Sequence, residues 1–348
     1  MYAEKNRDIK SGLINRCVVA SFMLFVLFSG CRNGEGVYKE TFFGLGTFTT
    51  IKVYTHRDTA QRAFAAVDSI ISDWDVRFSQ EGAGSDIQRL NSGLHQGVEV
   101  SDELFSMIKK GCGYGDTTSG YFDITLYNIK KLWGFPLGGE AEPEVPDTAE
   151  IESMLKNTGY KRISIKESIN RVASEYKGMR LDLGGIAKSC VINEIDSTLI
   201  SMGLNTYLIE SGGDIFTRGD KPDKAPWVIG IQNPRGKGLI ASVEIDNGGV
   251  VTSGDYQRFW MRNGMRYHHL LNPETGRPAR ENISLSIFSE DPVRADILST
   301  GLFPMKADSI TDFVNTRDDL ECLVVDAGGE ITVSQGWKEF VKTRVLEN

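Results

Sequence analysis

Histidine, cysteine and proline are scarce in this 348-residue sequence, at four, five and ten residues. Cys17, Cys31, Cys112, Cys190 and Cys322 lie far apart, which excludes a zinc finger or a disulfide-stapled scaffold. The last three belong to the body of the chain. Three is an odd number, so at least one thiol is expected to stay free, and burial is the ordinary fate of such thiols. Basic blocks are lacking too: the formal charge is -8 and the lysines and arginines are scattered, so the cationic stripe that nucleic acid requires is missing and nucleic acid is not an expected partner. No Gly-x-Gly-x-x-Gly run marks a dinucleotide-binding oxidoreductase. No repeat or low-complexity tract breaks the chain. What is left, 40% hydrophobic and 25% charged residues, is the composition of a folded protein of one large domain or two intimately joined ones.

The amino terminus differs from the rest. Lys5, Arg7, Lys10 and Arg16 precede an apolar run from Cys17 through Phe28, too short to span a bilayer comfortably. Residues 1–30 read as a signal peptide. Its end, Leu27-Phe-Ser-Gly-Cys31, puts small residues before a cysteine and resembles a bacterial lipobox. On that reading Cys31 is lipidated and becomes the first residue of a mature chain, 31–348, held at a membrane by acyl chains. The alternative is ordinary signal cleavage with an incidental cysteine.

The segment Arg180-Leu-Asp-Leu-Gly-Gly-Ile-Ala-Lys188 sets Asp182, Gly184, Gly185 and Lys188 where a strand-like run, Met179 to Leu183, becomes helical. Ala187, Val191, Ile195 and Leu199 recur at the period of one helix face. Amides at a helix start are unpaired and partly positive, and glycine lets a phosphate approach them, with Lys188 adding a full charge. A plain glycine turn with a surface lysine is the alternative. A second strand enters a Gly-Gly-Asp turn at Gly212 to Asp214.

Other stretches carry candidate chemistry. Tyr121-Phe-Asp-Ile-Thr125 suits a ligand wall or a loop anchored by its aromatics. His268 and His269 are adjacent, so on a strand at most one points into a given site, and a purely structural histidine is equally open. Asp296 and Thr300 share a face of the helix opened by Pro292. They are hard oxygen donors of the kind Mg²⁺ takes, or else a solvated helix face. Elsewhere Thr59 can cap a helix carrying Ala60 to Trp74, Ser101 begins another, and Asp147-Thr-Ala-Glu150 reads as a capping box.

Taken in order, these motifs resemble the ApbE-type FAD:protein FMN transferases. The family's segments stand here as Asp182 to Lys188, Gly212 to Asp214, Thr252 to Asp255, His269-Leu-Leu-Asn-Pro-Glu-Thr-Gly276 and Ala295-Asp-Ile-Leu-Ser-Thr300, from about Gly44 to the last helix. Asn272 replaces the usual aspartate, Ser189-Cys190 stands where a glycine and an aromatic are common, and the Phe78 loop lacks a tyrosine that many relatives have.

The resemblance implies an α+β fold of mixed, mainly antiparallel sheets with packed helices, two-lobed, with the site between the lobes. It implies a Mg²⁺-dependent enzyme with FAD as substrate, placing FMN through a phosphoester on a threonine of a target protein and releasing AMP. The target is expected to be a subunit of an envelope redox complex, with the enzyme anchored by lipid and facing the periplasm. By position, Leu45, Gly120, Tyr121, Phe122, Asp182, Lys188 and Leu271 would line the FAD site. Asp296, Thr300 and a backbone carbonyl at Gly185 would hold the metal. His269 or Asp182 would take the threonine proton. Two other readings use the same residues: an FAD pyrophosphatase yielding FMN and AMP, and a flavin-binding lipoprotein without chemistry.

Overall fold

The computed structural model describes residues 35–80, 82–135 and 143–337. The leader, Cys31 and the stretch after Trp337 lie outside the described residues. Eight strands form the main sheet: β1 Gly36–Gly44, β2 Thr47–Thr55, β3 Tyr207–Ser211, β4 Asp214–Arg218, β5 Gly248–Gly254, β6 Asn282–Ser289, β7 Leu320–Asp326 and β8 Ile331–Val333. Their spatial order is their chain order, and every neighbouring pair is antiparallel. Antiparallel neighbours need only a tight turn, so β1 and β2 are joined at Leu45-Gly46 and β3 and β4 at Gly212-Gly213. The helices enter as excursions between strands: α1 Arg57–Phe78, α2 Asp86–Gly93, α3 Asp102–Thr117, α4 Tyr127–Leu132, α5 Thr148–Leu155, α6 Ala187–Ser201, α7 Pro292–Leu302 and α8 Ala307–Asn315. The mixed α+β architecture with mainly antiparallel pairing is the one the family resemblance implies.

Side-chain alternation sends each strand's apolar residues to two layers. On one face Ile51, Val53 and Ile209 meet the apolar faces of α1 and α6, including Ala63, Val67, Val191 and Ile195. Burying each such aliphatic side chain contributes about 2 kcal/mol. Further along that layer, Val251, Leu285, Ile287 and Val324 pack on α7 and α8. The opposite face is covered by a hairpin of Trp227–Gln232 with Leu239–Ile245. Its Trp227, Ile229 and Ile231 pack with Val250, Phe288, Leu323, Val325 and Trp337. A smaller cluster gathers Leu126, Ile129, Trp133, Phe135, Ile151 and Leu271 beside the main layers.

Local chemistry explains most helix boundaries. The Ser101 hydroxyl accepts from the Leu104 amide, Asp147 from Ala149, and Asp291 from Val293 and Arg294 ahead of a proline at the start of α7. Thr59 is a correction: α1 starts at Arg57 with His56 at its cap and no side-chain cap bond. The Met179 to Leu183 run is a second, since no strand forms there. Its backbone is satisfied instead by the Asn91 side chain, which donates to the Leu181 carbonyl and accepts from its amide, and by the Ile124 carbonyl, which accepts from Asp182 N–H. The three described cysteines are free, Cys322 buried and Cys112 and Cys190 half-buried. Burial pushes all three thiols up to about 12.

Candidate active site

Turns from three parts of the chain meet at one end of the main sheet. The Gly212-Gly213 turn has φ of 61° and 96°, a conformation that favours glycine, and it delivers Asp214 to the start of β4. There Asp214 is ion-paired with Lys188, the second residue of α6, and accepts from the Thr252 amide at 3.3 Å. Lys188 Nζ also lies 4.0 Å from Asp296 Oδ1 on α7. Burial alone would favour a neutral amine, but Asp214 and Asp296 hold Lys188 protonated, well above the ordinary lysine range. Its charge is thus already shared between two carboxylates.

Asp296 is 4% exposed, which rules out the solvated-face alternative. Its Oδ2 is buried and has no hydrogen-bond partner. Burial pushes this carboxyl up to about 6; Lys188 opposes that shift and Asp214 adds to it. One turn on, Thr300 Oγ1 lies 3.4 Å from Ser253 Oγ, which in turn lies 3.0 Å from Ser299 Oγ. Gly185 packs here as well: a Cβ on it would stand 3.2 Å from the Phe122 ring and 3.6 Å from Thr300 Cγ2, so a larger residue would crowd the contact. The helix it precedes, α6, has no side-chain cap.

No group of three or more His, Cys, Asp or Glu side chains that could hold a metal ion occurs among the described residues. The donor set is nonetheless one that suits Mg²⁺. It offers hard oxygens from Asp296 and Thr300 beside the Gly185 backbone, an orphaned buried carboxylate oxygen, and room in the coordination shell for water or phosphate oxygens.

A second group adjoins the first through the Asp182 to Gly185 segment. Asp182 Oδ2 accepts from Lys130 Nζ of α4 at 2.6 Å, and Oδ1 from the Gly184 amide at 2.8 Å. Burial would raise this carboxyl, but Lys130, the Gly184 amide and His269 hold it below the usual range. Both oxygens of this carboxylate are thus engaged within the protein. His269 is differently placed. Its Nδ1 lies 3.2 Å from the Arg258 carbonyl, and Phe135 meets its ring edge-on at 6.2 Å. Burial, with the cations Lys130 and Arg258, pushes it down to about 3. The ring is therefore neutral, and a proton on Nδ1, donated to the carbonyl, leaves the Nε2 lone pair free. His268 points the other way: it is 1% exposed, bonded through Nε2 to the Ala279 carbonyl at 2.9 Å and packed on Phe303.

The remaining residues singled out in the sequence fall as follows. Leu45 sits in the β1–β2 turn at φ 51°, its amide donating to Asp75 Oδ1 at 2.7 Å. That turn is tied to the Asp214 turn, because Gly212 N–H donates to the Phe48 carbonyl at 3.1 Å and the Thr49 and Ser211 hydroxyls lie 2.9 Å apart. Gly120, at φ 93°, and Tyr121 line a cleft of about 280 Å³ with Asp123, Lys161, Arg162 and Glu274. Phe122 and Leu271 are buried, Phe122 beside Gly185 and Gly301 and Leu271 in the cluster with Trp133 and Phe135, and neither lines that cleft. Lys130 and Arg258 carry no signal in the sequence, since nothing in their local pattern distinguishes them from solvated lysine and arginine; Ser253 falls inside the Thr252 to Asp255 segment. Asp214 had a signal, the repeat of a strand entering Gly-Gly beside a carboxylate.

The sequence profile of the ApbE family matches residues 45–324. The chain belongs to the ApbE family. It is 28% identical over 304 residues to the FAD:protein FMN transferase of Klebsiella pneumoniae (strain 342), covering 86% of this chain and 92% of that protein. The FAD:protein FMN transferase of Treponema pallidum (strain Nichols) is also 28% identical, over 331 residues, with 89% and 90% covered. Among solved structures, the ApbE protein of Thermotoga maritima superposes with a TM-score of 0.82 at 35% identity over 88% of this chain and 99% of that one. The apo flavinyl transferase ApbE of Pseudomonas stutzeri gives 0.77 at 27% identity, over 88% and 97%. The two clusters described above therefore lie in an ApbE framework that the chain shares along nearly its whole described length.

Proposed function

We propose that this ApbE-family chain is a Mg²⁺-dependent FAD:protein FMN transferase that places FMN on a threonine of an acceptor protein and releases AMP. The observation that carries the reading is the Lys188, Asp214 and Asp296 cluster with its unpartnered Asp296 oxygen beside Thr300. Such a cluster is built for a substrate that brings its own negative charge and a metal. A magnesium ion bound by Asp296, Thr300 and the Gly185 carbonyl would supply a Lewis acid for the pyrophosphate. Lys188 and the uncapped start of α6 favour the charge that grows on the departing phosphate.

The reaction balances on the chain's own groups. The threonine hydroxyl oxygen forms a bond to the FMN-side phosphorus, and the anhydride P–O bond to AMP breaks. The hydroxyl proton goes to His269 Nε2, since Asp182 is occupied by Lys130 and the Gly184 amide. Lys130 keeps Asp182 in place, and Asp182 in turn fixes the glycine turn that opens α6.

The setting belongs to the same proposal. The charged and apolar leader and Cys31 support attachment to a cell-envelope membrane by lipid, with the catalytic body facing the periplasm and an envelope redox subunit as acceptor. No helix among the described residues is long and apolar enough to cross a membrane. The test incubates the purified protein with FAD, MgCl₂ and envelope extract from cells lacking the gene. A protein band that gains covalent flavin fluorescence and the mass of FMN, with AMP released in step, is the expected outcome. Free FMN and AMP without any labelled band would instead identify a pyrophosphatase. Tight FAD binding without either product would identify a carrier.

A further inference from the structure

Phe43 and Phe48 are the exposed phenylalanines among the described residues, 66% and 63% open. They stand directly opposite each other in the β1–β2 register, with ring centroids 5.0 Å apart. Further across the sheet the same face is covered by the Trp227–Ile245 hairpin, whose Trp227 reaches Tyr54, at 5.9 Å, and Lys52, at 5.8 Å. At the turn the two rings are left in the open.

The outward row of β1 and β2 has an ordered chemistry. Moving away from the turn it carries the exposed Phe43 and Phe48, then exposed Thr41 with buried Thr50, then exposed Lys39 with half-buried Lys52. The two threonine hydroxyls bond each other at 3.0 Å. An aromatic step and a cationic step are thus four residues apart along each strand, roughly 13 Å. The described ion pairs leave Lys39 and Lys52 without a carboxylate, and Lys52 leans over the Tyr54 and Trp227 rings. The carboxylate of the neighbouring strand on this face, Glu210 opposite Thr50, accepts from the Gly213 amide at 3.1 Å, so the two lysines keep their charge for a ligand.

The row ends at the β1–β2 turn, which is bonded to the turn that delivers Asp214. Leu45 lies in the turn between the two phenylalanines, and the Phe48 carbonyl holds the Gly212 amide two residues before Asp214. We propose that this row is the docking surface for the acceptor protein. An extended acceptor segment lays an apolar side chain over Phe43 and Phe48 and a carboxylate between Lys39 and Lys52, which sets its threonine at the Leu45 turn. This inference rests on the transferase reading, because an enzyme that hands FMN to water has no use for such a surface.

The test follows covalent flavin labelling of envelope proteins over time in source cells that lack the gene and carry wild-type or variant copies. Phe43→Ser/Phe48→Ser and, separately, Lys39→Glu/Lys52→Glu are expected to slow labelling at least about tenfold. Both purified variants should bind FAD with wild-type affinity. Val228→Ser, an exposed apolar residue on the covering hairpin, should label at the wild-type rate. Wild-type labelling rates in both double variants overturn the proposal. So does a change from dimer to monomer at unchanged labelling, which makes the row a contact between copies. Should the phenylalanine variant fail to fold, the lysine variant decides, with Lys39→Glu alone beside it, since Lys39 is exposed whereas Lys52 is half-buried against Tyr54 and Trp227. Absence of labelled bands with the wild-type gene defeats the transferase reading itself, and the docking surface falls with it.

Discussion

Lys130 Nζ lies 2.6 Å from Asp182 Oδ2, a contact across 52 residues that ties α4 to the turn opening α6. Lys130→Ala leaves a mostly buried carboxylate without its counter-charge. With 24% of the lysine side chain exposed, the loss is expected to be about 1–3 kcal/mol, short of that for a fully buried pair. Denaturant unfolding measures it. Lys130→Arg should recover most of the stability, and an unchanged midpoint in the alanine variant would show that the pair is no more than a surface contact.

Acid should weaken the fold through His268. Burial pushes this ring down to about 4, whereas the unfolded chain titrates near the ordinary 6.5. Between these values the unfolded state binds a proton that the folded state refuses. Stability is therefore fully present above about pH 6.5 and falls as pH drops toward 4, by about 3 kcal/mol for this group. His268→Gln should remove about half of that slope in melts across the window, the rest belonging to His269, which is pushed down to about 3. A slope of the same size in the variant assigns the acid loss to other groups.

His269, held down to about 3, is neutral throughout the physiological range. The pH profile of kcat/KM should accordingly show no inflection between pH 6 and 7 that belongs to this residue, while His269→Asn lowers the rate by about 10²–10⁴-fold. An inflection near 6.5 that disappears in the variant would falsify the neutral assignment.

Asp296→Asn separates stability from activity. Burial and Asp214 make the ionised carboxylate costly to hold, so the neutral amide should leave the melting temperature unchanged or raise it. Turnover of FAD should fall by about 100-fold or more, and calorimetric Mg²⁺ binding should vanish. Retained turnover at saturating FAD removes Asp296 from the metal site.

Leu45 at φ 51° holds a left-handed conformation that costs about 1–2 kcal/mol in a residue with a Cβ. Leu45→Gly relieves this strain. The unfolding midpoint is expected to stay or rise slightly while FAD affinity, followed by fluorescence quenching, falls severalfold. Unaltered affinity would mean that the turn is strained for some purpose other than the flavin.

The alternating residues of β2 and the fourfold recurrence from Ala187 to Leu199 were legible because strand and helix periods are local. So were the caps at Ser101 and Asp147, each a side-chain oxygen within three residues of the amide it satisfies. The strand read into Met179 to Leu183 shows the limit of that logic. Its apolar pattern comes from burial of Met179, Leu181 and Leu183 in the main core, and its Leu181 amide is met by Asn91, a partner 90 residues away. Lys130 and Arg258 were illegible for the same reason: their roles exist only in the fields they impose on Asp182 and His269.

By itself the sequence determined the residue types of the chemistry, the order of its motifs and the family they resemble, since those properties travel with the chain. The tertiary structure decided how the charges are used. Folding places Lys188 between Asp214 and Asp296, leaves one Asp296 oxygen unpartnered, occupies Asp182 with Lys130 and keeps His269 neutral. Electrostatic energies depend on distances of a few ångströms and on the exclusion of water, and neither is a property of sequence spacing.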